Sequence, residues 1–375
     1  MRIRAVEVFT ADLPLAQPFE HASSGRIDRL EEVVVRIETT DGHVGWAEVR
    51  GNAPYVTGDS RGRVVAALVE IMIPRLMARP ETSPASVGRF LDTLVPGNAT
   101  AKAALDTAVH DAAARALGVP LGRMLGAVEC LAVRVHGTLP FCAPAEAARR
   151  AAAYLDRGIR TIKVRVGLPT LDEDLARLES VAQVLAHHPA GSAARMATDT
   201  NQGWTTKQAI RALRRFEAFE LAWAEQPVVA RDLAGLKEVR QSTAAMIVAD
   251  EACGTPDDLM RLIEMRAADA LHLKLVKAGG VRALMTMVAI AEVAGLPYLL
   301  GQMDEGTLAT AAALHCAVAA APLSCELWGF QRVGSQPFSA LAMRDGEVAL
   351  PLGAGLGITV DEAALTPVRR FETQA

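Results

Sequence analysis

Aromatic side chains are scarce in this chain of 375 residues, which has nine Phe, three Tyr and four Trp. Alanine is conspicuous instead, and hydrophobic residues make up 51%. That composition suits a globular, helix-rich protein. No uninterrupted apolar run reaches the roughly 18 residues that a spanning helix needs, which argues against a membrane protein. The N-terminal MRIRAVEVFTADLPL lacks the apolar core of a signal peptide and reads as a first strand. The five cysteines, Cys130, Cys142, Cys253, Cys316 and Cys325, are scattered, odd in number and form no CxxC. This argues against a disulfide framework and suits reduced thiols in a cytoplasmic protein. Net charge is lacking too. The formal value of −4 comes with no acidic or basic tail, so neither nucleic acid nor a membrane surface is an expected partner.

What is present is a change of pattern along the chain. The length exceeds what one core usually serves, so more than one domain is expected. The first third reads as strands followed by helices, an α+β arrangement. LEEVVVRIETTDG and HVGWAEV form a predicted hairpin turning at Asp41-Gly42. Helical patterns follow over Arg61–Ala78 and Ala99–Leu117. From about Leu131, short apolar strands alternate with helix-period segments. The strand candidates are LAVRVHGTL, TIKVRVG, ARMATDTN, LAWAEQP, MIVADEA, ALHLKLVK, PYLLGQM and LSCELWG. Eight β-then-α units predict an α/β fold, a parallel barrel closed by helices, at the compact end of the roughly 250 residues usual for one. A doubly wound open sheet is the alternative, but the glycine-rich phosphate turn it would want is missing. The expected division is residues 1–125, 126–335 and a tail, 336–375, that returns to the first domain.

In such a barrel the chemistry sits at the C-terminal ends of the strands. Asp199, Glu225, Asp250 and Lys274 end four successive strand candidates, at steps of 26, 25 and 24 residues. Three carboxylates brought together repel one another unless a cation joins them. Hard oxygen donors select Mg²⁺, Mn²⁺ or Ca²⁺, and Mg²⁺ is the economical reading, with Mn²⁺ as a substitute. Taken singly, each carboxylate reads better as a helix cap or a surface charge; three at matching strand ends, with lysines facing in, favour the metal site. His272 and Lys274 share a face, and a desolvated lysine beside a dication is a candidate general base. His272 reads as a hydrogen-bonded core histidine, Lys277 as a solvated residue beyond the strand, and Glu251 as a neighbour of the metal site. On TIKVRVG, Lys163 and Arg165 alternate with Ile162, Val164 and Val166, so both cations face the interior.

The ordered set TIKVRVG, TDTNQGW, AEQP, ADE and LKLVKAGG resembles the enolase superfamily. The resemblance is specifically to the muconate lactonizing enzyme (muconate cycloisomerase) subgroup of its mandelate racemase/muconate lactonizing enzyme family. It extends to NATAKAALDTAVHD, GQMDEGTLATAAALH and GLGITVDEAAL. It implies a modified (β/α)7β barrel with an α+β capping domain built from both chain ends. It also implies Mg²⁺ on Asp199, Glu225 and Asp250, Lys274 as acid/base on one face of the substrate, and a homo-oligomer, dimer or octamer. The implied reaction moves a proton α to a carboxylate through an enediolate, on a small-molecule carboxylate substrate.

One departure stands out. Where the subgroup's KxK motif ends in a second acid/base lysine, this chain has Arg165. An arginine with pKa above ~12 is neutral in about one molecule in 10⁵ or fewer at pH 7. The sequence therefore favours one-base chemistry led by Lys274, a cycloisomerisation or elimination, with Lys163 adding positive charge near the carboxylate. The alternatives are a racemase or epimerase of an amino-acid derivative, an acid-sugar or hydroxyproline-type dehydratase, and a barrel that only binds. Lys163 rotating inward would restore a two-base site. Glu305, His21 and Tyr55 are candidate substrate contacts, the last two on capping loops FEHASSGR and NAPYVTGD. Asn201 is a candidate supporting residue beside Asp199.

Overall fold

The computed structural model describes residues 1–21, 25–79, 81–128, 131–167 and 170–373. Three antiparallel strands come first: β1 (Ile3–His21), β2 (Gly25–Thr39) and β3 (Val44–Arg50). The β2–β3 turn falls at Asp41-Gly42 as expected, with Gly42 at φ 84°. The FEHASSGR stretch differs from the expected loop. Phe19 pairs with Ile27 and His21 with Gly25, so most of it is the end of a long hairpin, and residues 22–24 at its tip lie outside the described residues. The side chain of His21 is likewise outside them.

The alanine content has a structural use here. Helix Ala99–Ala116 is buried on nearly every side, between the sheet and the barrel. Small side chains let a helix approach on all faces. Its contact with β3 is so close that a Cβ on Gly45 would fall 2.1 Å from the Ala108 carbonyl oxygen. An earlier helical stretch runs from Arg61 to Met77, with a π-helical segment over Ala67–Met72, and a helix over Pro84–Leu94 separates the two.

LAVRVHGTL divides in two, where one strand was expected. β4 (Ala132–Arg134) lies outside the barrel, and β5 (Gly137–Leu139) opens it. Then come β6 (Thr161–Arg165), β7 (Arg195–Asp199), β8 (Ala224–Glu225), β9 (Ile247–Ala249), β10 (Ala270–Lys274), β11 (Tyr298–Gly301) and β12 (Cys325–Glu326). All eight are parallel and lie in chain order. Seven helical crossovers link them, capped at Thr170, Thr205 and Thr255 by side chains that accept from the first helical turn. The ring closes where Val135 bridges Cys325 and the His136 N–H donates to the Cys325 carbonyl at 2.9 Å. The fold is a (β/α)7β barrel with an antiparallel capping sheet. Among the described residues no helix is long and apolar enough to cross a membrane.

The tail supplies β13 (Met343–Arg344), β14 (Glu347–Ala349) and β15 (Thr366–Glu372). β14 pairs with β4, and β15 adds to β1, giving a sheet ordered β15-β1-β2-β3. One fully buried carboxylate ties tail, sheet and helix together. Asp111, the last residue of NATAKAALDTAVHD, accepts from Trp46 N at 2.8 Å and from Leu356 N at 2.6 Å, and it pairs with Arg115. Asp111→Ala leaves these buried donors unpaired. The expected cost is about 3 kcal/mol or more, read from urea unfolding; a loss below ~1 kcal/mol would show that water replaces the carboxylate.

Candidate active site

Strand register brings the charged residues to one rim. Arg165 lies opposite Asp199, Asp199 opposite Glu225, Lys274 opposite Gly301, and Gly301 opposite Glu326. Asp250 follows directly after β9. A Cβ on Gly301 would fall 2.1 Å from His272 Nε2, so the absence of a side chain there admits the imidazole to the barrel interior.

A dense ionic cluster results. Lys163 Nζ lies 3.1 and 3.2 Å from the two Glu225 oxygens, 3.3 Å from Asp199 and 3.0 Å from Glu326. Lys274 Nζ donates to Asp250 at 2.6 Å. His272 Nδ1 meets Glu225 at 2.7 Å, so this histidine orients a carboxylate, consistent with a hydrogen-bonded core residue. β6 and β10 are four places apart in a closed ring of eight. Lys163 and Lys274 therefore reach the rim from opposite sides of the barrel mouth.

The fields at this rim can be followed group by group. Burial works against the charge of Lys163, but Glu225, Glu326 and Asp199 outweigh it and hold the ammonium well above the ordinary lysine range. Burial likewise opposes the charge of Lys274, and Asp250, then Glu326 and Glu225, overcome it. The lowered lysine pKa expected from sequence is thus reversed in the field of the chain alone, because Asp250 is in direct contact. Burial raises Glu225, while Lys163 and His272 more than offset this and hold it at about 2. Asp250 also lies below its ordinary value, since Lys274 and Lys277 outweigh burial. Asp199 differs. Burial and then the charge of Glu225 push it up to about 6, against Lys163 and Arg165.

This donor set fits a hard dication. Asp199, Glu225 and Asp250 present carboxylate oxygens from neighbouring strands and no sulfur. The raised Asp199 marks negative charge that the lysines leave uncompensated. Glu225, Asp250 and His272 place ligand-type atoms within 4.8 Å of one another. His272 Nδ1 is engaged by Glu225, and Asp199, opposite Glu225 on the neighbouring strand, is a further carboxylate at the same rim.

The other expected residues divide. Tyr55, Asn201, Glu251, Arg165 and Lys274 line the central cavity. The Asn201 N–H donates to Asp199 Oδ1 at 2.9 Å, a supporting contact made through its backbone. Burial and the charge of Asp250 push Glu251 up to about 8. Glu305 is buried, and burial and then the charge of Glu48 push its carboxyl up to about 8, against Arg50 and Lys274. Lys277 is a correction. It is buried, not solvated, because the single turn Leu275–Ala278 folds it back so that its ammonium donates to the Asp250 side chain and backbone. Glu326 was missed, although it ends its strand as Asp199 and Glu225 end theirs. It bridges Lys163 and the Thr138 hydroxyl. Arg332 was missed as well. It follows the last barrel strand, pairs with Asp304 at 3.0 Å and lies over Trp328.

Comparison with known proteins fits this geometry. Residues 3–126 match the "Mandelate racemase / muconate lactonizing enzyme, N-terminal domain", and residues 146–364 match the "Enolase C-terminal domain-like" family. The chain is 34% identical over 319 residues to the L-Ala-D/L-Glu epimerase of Bacillus subtilis (strain 168), covering 84% of this chain and 85% of that protein. It is 30% identical over 369 residues to the chloromuconate cycloisomerase of Pseudomonas sp. (strain P51), covering 96% and 97%. Among solved structures it is similar to the dipeptide epimerase of Cytophaga hutchinsonii complexed with Mg and D-Ala-L-Val. That match has a TM-score of 0.89 and 27% identity, and it covers 98% of this chain and 99% of that one. The protein is thus an enzyme of the isomerase or lyase type, and the chain belongs to the mandelate racemase/muconate lactonizing enzyme family of the enolase superfamily.

Proposed function

We propose that this enzyme is a Mg²⁺-dependent epimerase or racemase acting at the α-carbon of an amino-acid-derived carboxylate, such as a dipeptide. The observation that carries this reading is the placement of Lys274 and Lys163 on opposite sides of the barrel mouth, facing Asp199, Glu225 and Asp250. Two of the three relatives described above are epimerases, which supports it further.

The three carboxylates would hold the ion, which supplies positive charge beside the substrate carboxylate and offsets the field that keeps both lysines protonated. Lys274 takes or gives the α-proton on one face. Lys163 serves the other face, as the only lysine on β6. Glu326 and Glu225 hold Lys163 in place, and His272 fixes Glu225. The epimerases among the relatives weigh against the one-base preference read from sequence, and Lys163 is the group proposed for the second side.

A second reading is a cycloisomerase working from one face. It is favoured by Arg165, which occupies the subgroup's usual place for the second acid/base lysine. Incubation of both epimers of Ala-Glu in D₂O with Mg²⁺, followed by NMR, separates the two. The expected result is α-deuteration of both epimers with interconversion. Exchange confined to one epimer, together with turnover of a muconate, would overturn the epimerase reading.

A further inference from the structure

Arg165 is unlike every other cation at the rim. Lys163 contacts three carboxylates, Lys274 and Lys277 share Asp250, and Arg332 pairs with Asp304. Arg165 lines the same cavity, yet among the described residues its side chain has no hydrogen bond or ion pair. Its Nε is shielded from solvent with no acceptor. Leaving a guanidinium donor shielded and unpaired is unfavourable in the protein alone. The planar fork presents donors that match a carboxylate or similar oxyanion bidentately. Its position is set by β6, on the side of the barrel mouth opposite Lys274.

We infer that Arg165 anchors a second anionic group of the substrate, so that the preferred substrates are dianions whose second carboxylate or oxyanion lies on the side of the α-carbon away from Lys274. The inference rests on the reading in which a first carboxylate binds at the Asp199–Glu225–Asp250 cluster with Mg²⁺. It gives the arginine a binding duty in place of proton transfer. It also explains how that residue can stand at the rim without abolishing two-sided chemistry, which Lys163 retains. Rejection of neutral analogues follows physically, because they would leave the buried donor unpaired.

The test uses the full chain saturated with Mg²⁺ and calorimetric binding of succinate, glutarate and adipate. Their monocarboxylate counterparts butyrate, valerate and hexanoate serve as partners. At least one dicarboxylate is expected to bind about 10- to 100-fold more tightly than its counterpart. Arg165→Gln erases that preference and leaves monocarboxylate affinity within about twofold. Arg165→Lys keeps part of the preference, since it retains the charge without the fork. Equal affinity for the two series in the unsubstituted protein, or equal losses of both in Arg165→Gln, would overturn the anchor while the metal-site reading stands. Carboxylate binding that is no stronger with Mg²⁺ than with EDTA overturns both. Unchanged thermal unfolding of Arg165→Gln is the folding control, because among the described residues the guanidinium makes no hydrogen bond or ion pair whose loss would destabilise the chain.

Discussion

Lys274→Ala is expected to lower turnover by about 10³- to 10⁴-fold, the usual worth of a positioned acid/base group. The fold should survive the change. Asp250, which accepts from Lys274 at 2.6 Å, keeps Lys277 as a second buried partner, so no carboxylate is stranded. Lys274→Arg is the sharper variant. It keeps a cation beside Asp250 but cannot release a proton near neutral pH. If Lys274 works by proton transfer, the arginine variant is as slow as the alanine variant. If its charge alone matters, the arginine variant keeps a large share of turnover. Retention of more than about a tenth of wild-type kcat in Lys274→Arg would sink the proton-transfer role. The measurement is steady-state turnover and α-proton exchange in D₂O, with circular dichroism as the folding check.

Asp199→Asn should produce the second large effect, in the metal response. The Mg²⁺ concentration for half activation is expected to rise by about 100-fold, since a charged oxygen donor becomes a neutral one. The metal-free protein should behave in the opposite sense. Asp199 is crowded by Glu225, and burial together with that charge holds its carboxyl up at about 6. Removing it relieves repulsion and leaves Lys163 with Glu225 and Glu326. The melting temperature without metal should therefore not fall. This split separates a metal ligand from a structural ion-pair partner, whose loss would lower stability and leave the Mg²⁺ response alone. An unchanged Mg²⁺ titration would remove Asp199 from the ligand set.

The chemistry-bearing residues were unusually legible because the fold is periodic. Each β/α unit ends its strand at the same rim, so counting from Asp199 by one unit reaches Glu225, then Asp250, then Lys274. The alternation in TIKVRVG turned Lys163 and Arg165 to one face by local geometry alone. The division of LAVRVHGTL was not legible. Which half joins the barrel depends on a tail strand more than 200 residues away, β14, claiming Ala132–Arg134. Lys277 was misplaced for a similar reason, since a single helical turn after a strand leaves no periodic trace. The surroundings of Glu305 were not legible either, because Glu48 and Arg50 reach it from the capping sheet.

By itself, then, the sequence determined the α/β barrel, the capping strands, the family likeness and the list of rim carboxylates and lysines. These follow from the backbone's local period and from spacing along the chain. Only the tertiary structure decided which of those charges pair. Lys163 spans Glu225, Glu326 and Asp199, Lys277 joins Lys274 on Asp250, and among the described residues Arg165 has no ion pair and its Nε no acceptor. The physical reason is closure. Pairing across the barrel mouth depends on distances between strands far apart in the chain, and those exist only once β12 has met the start of β5.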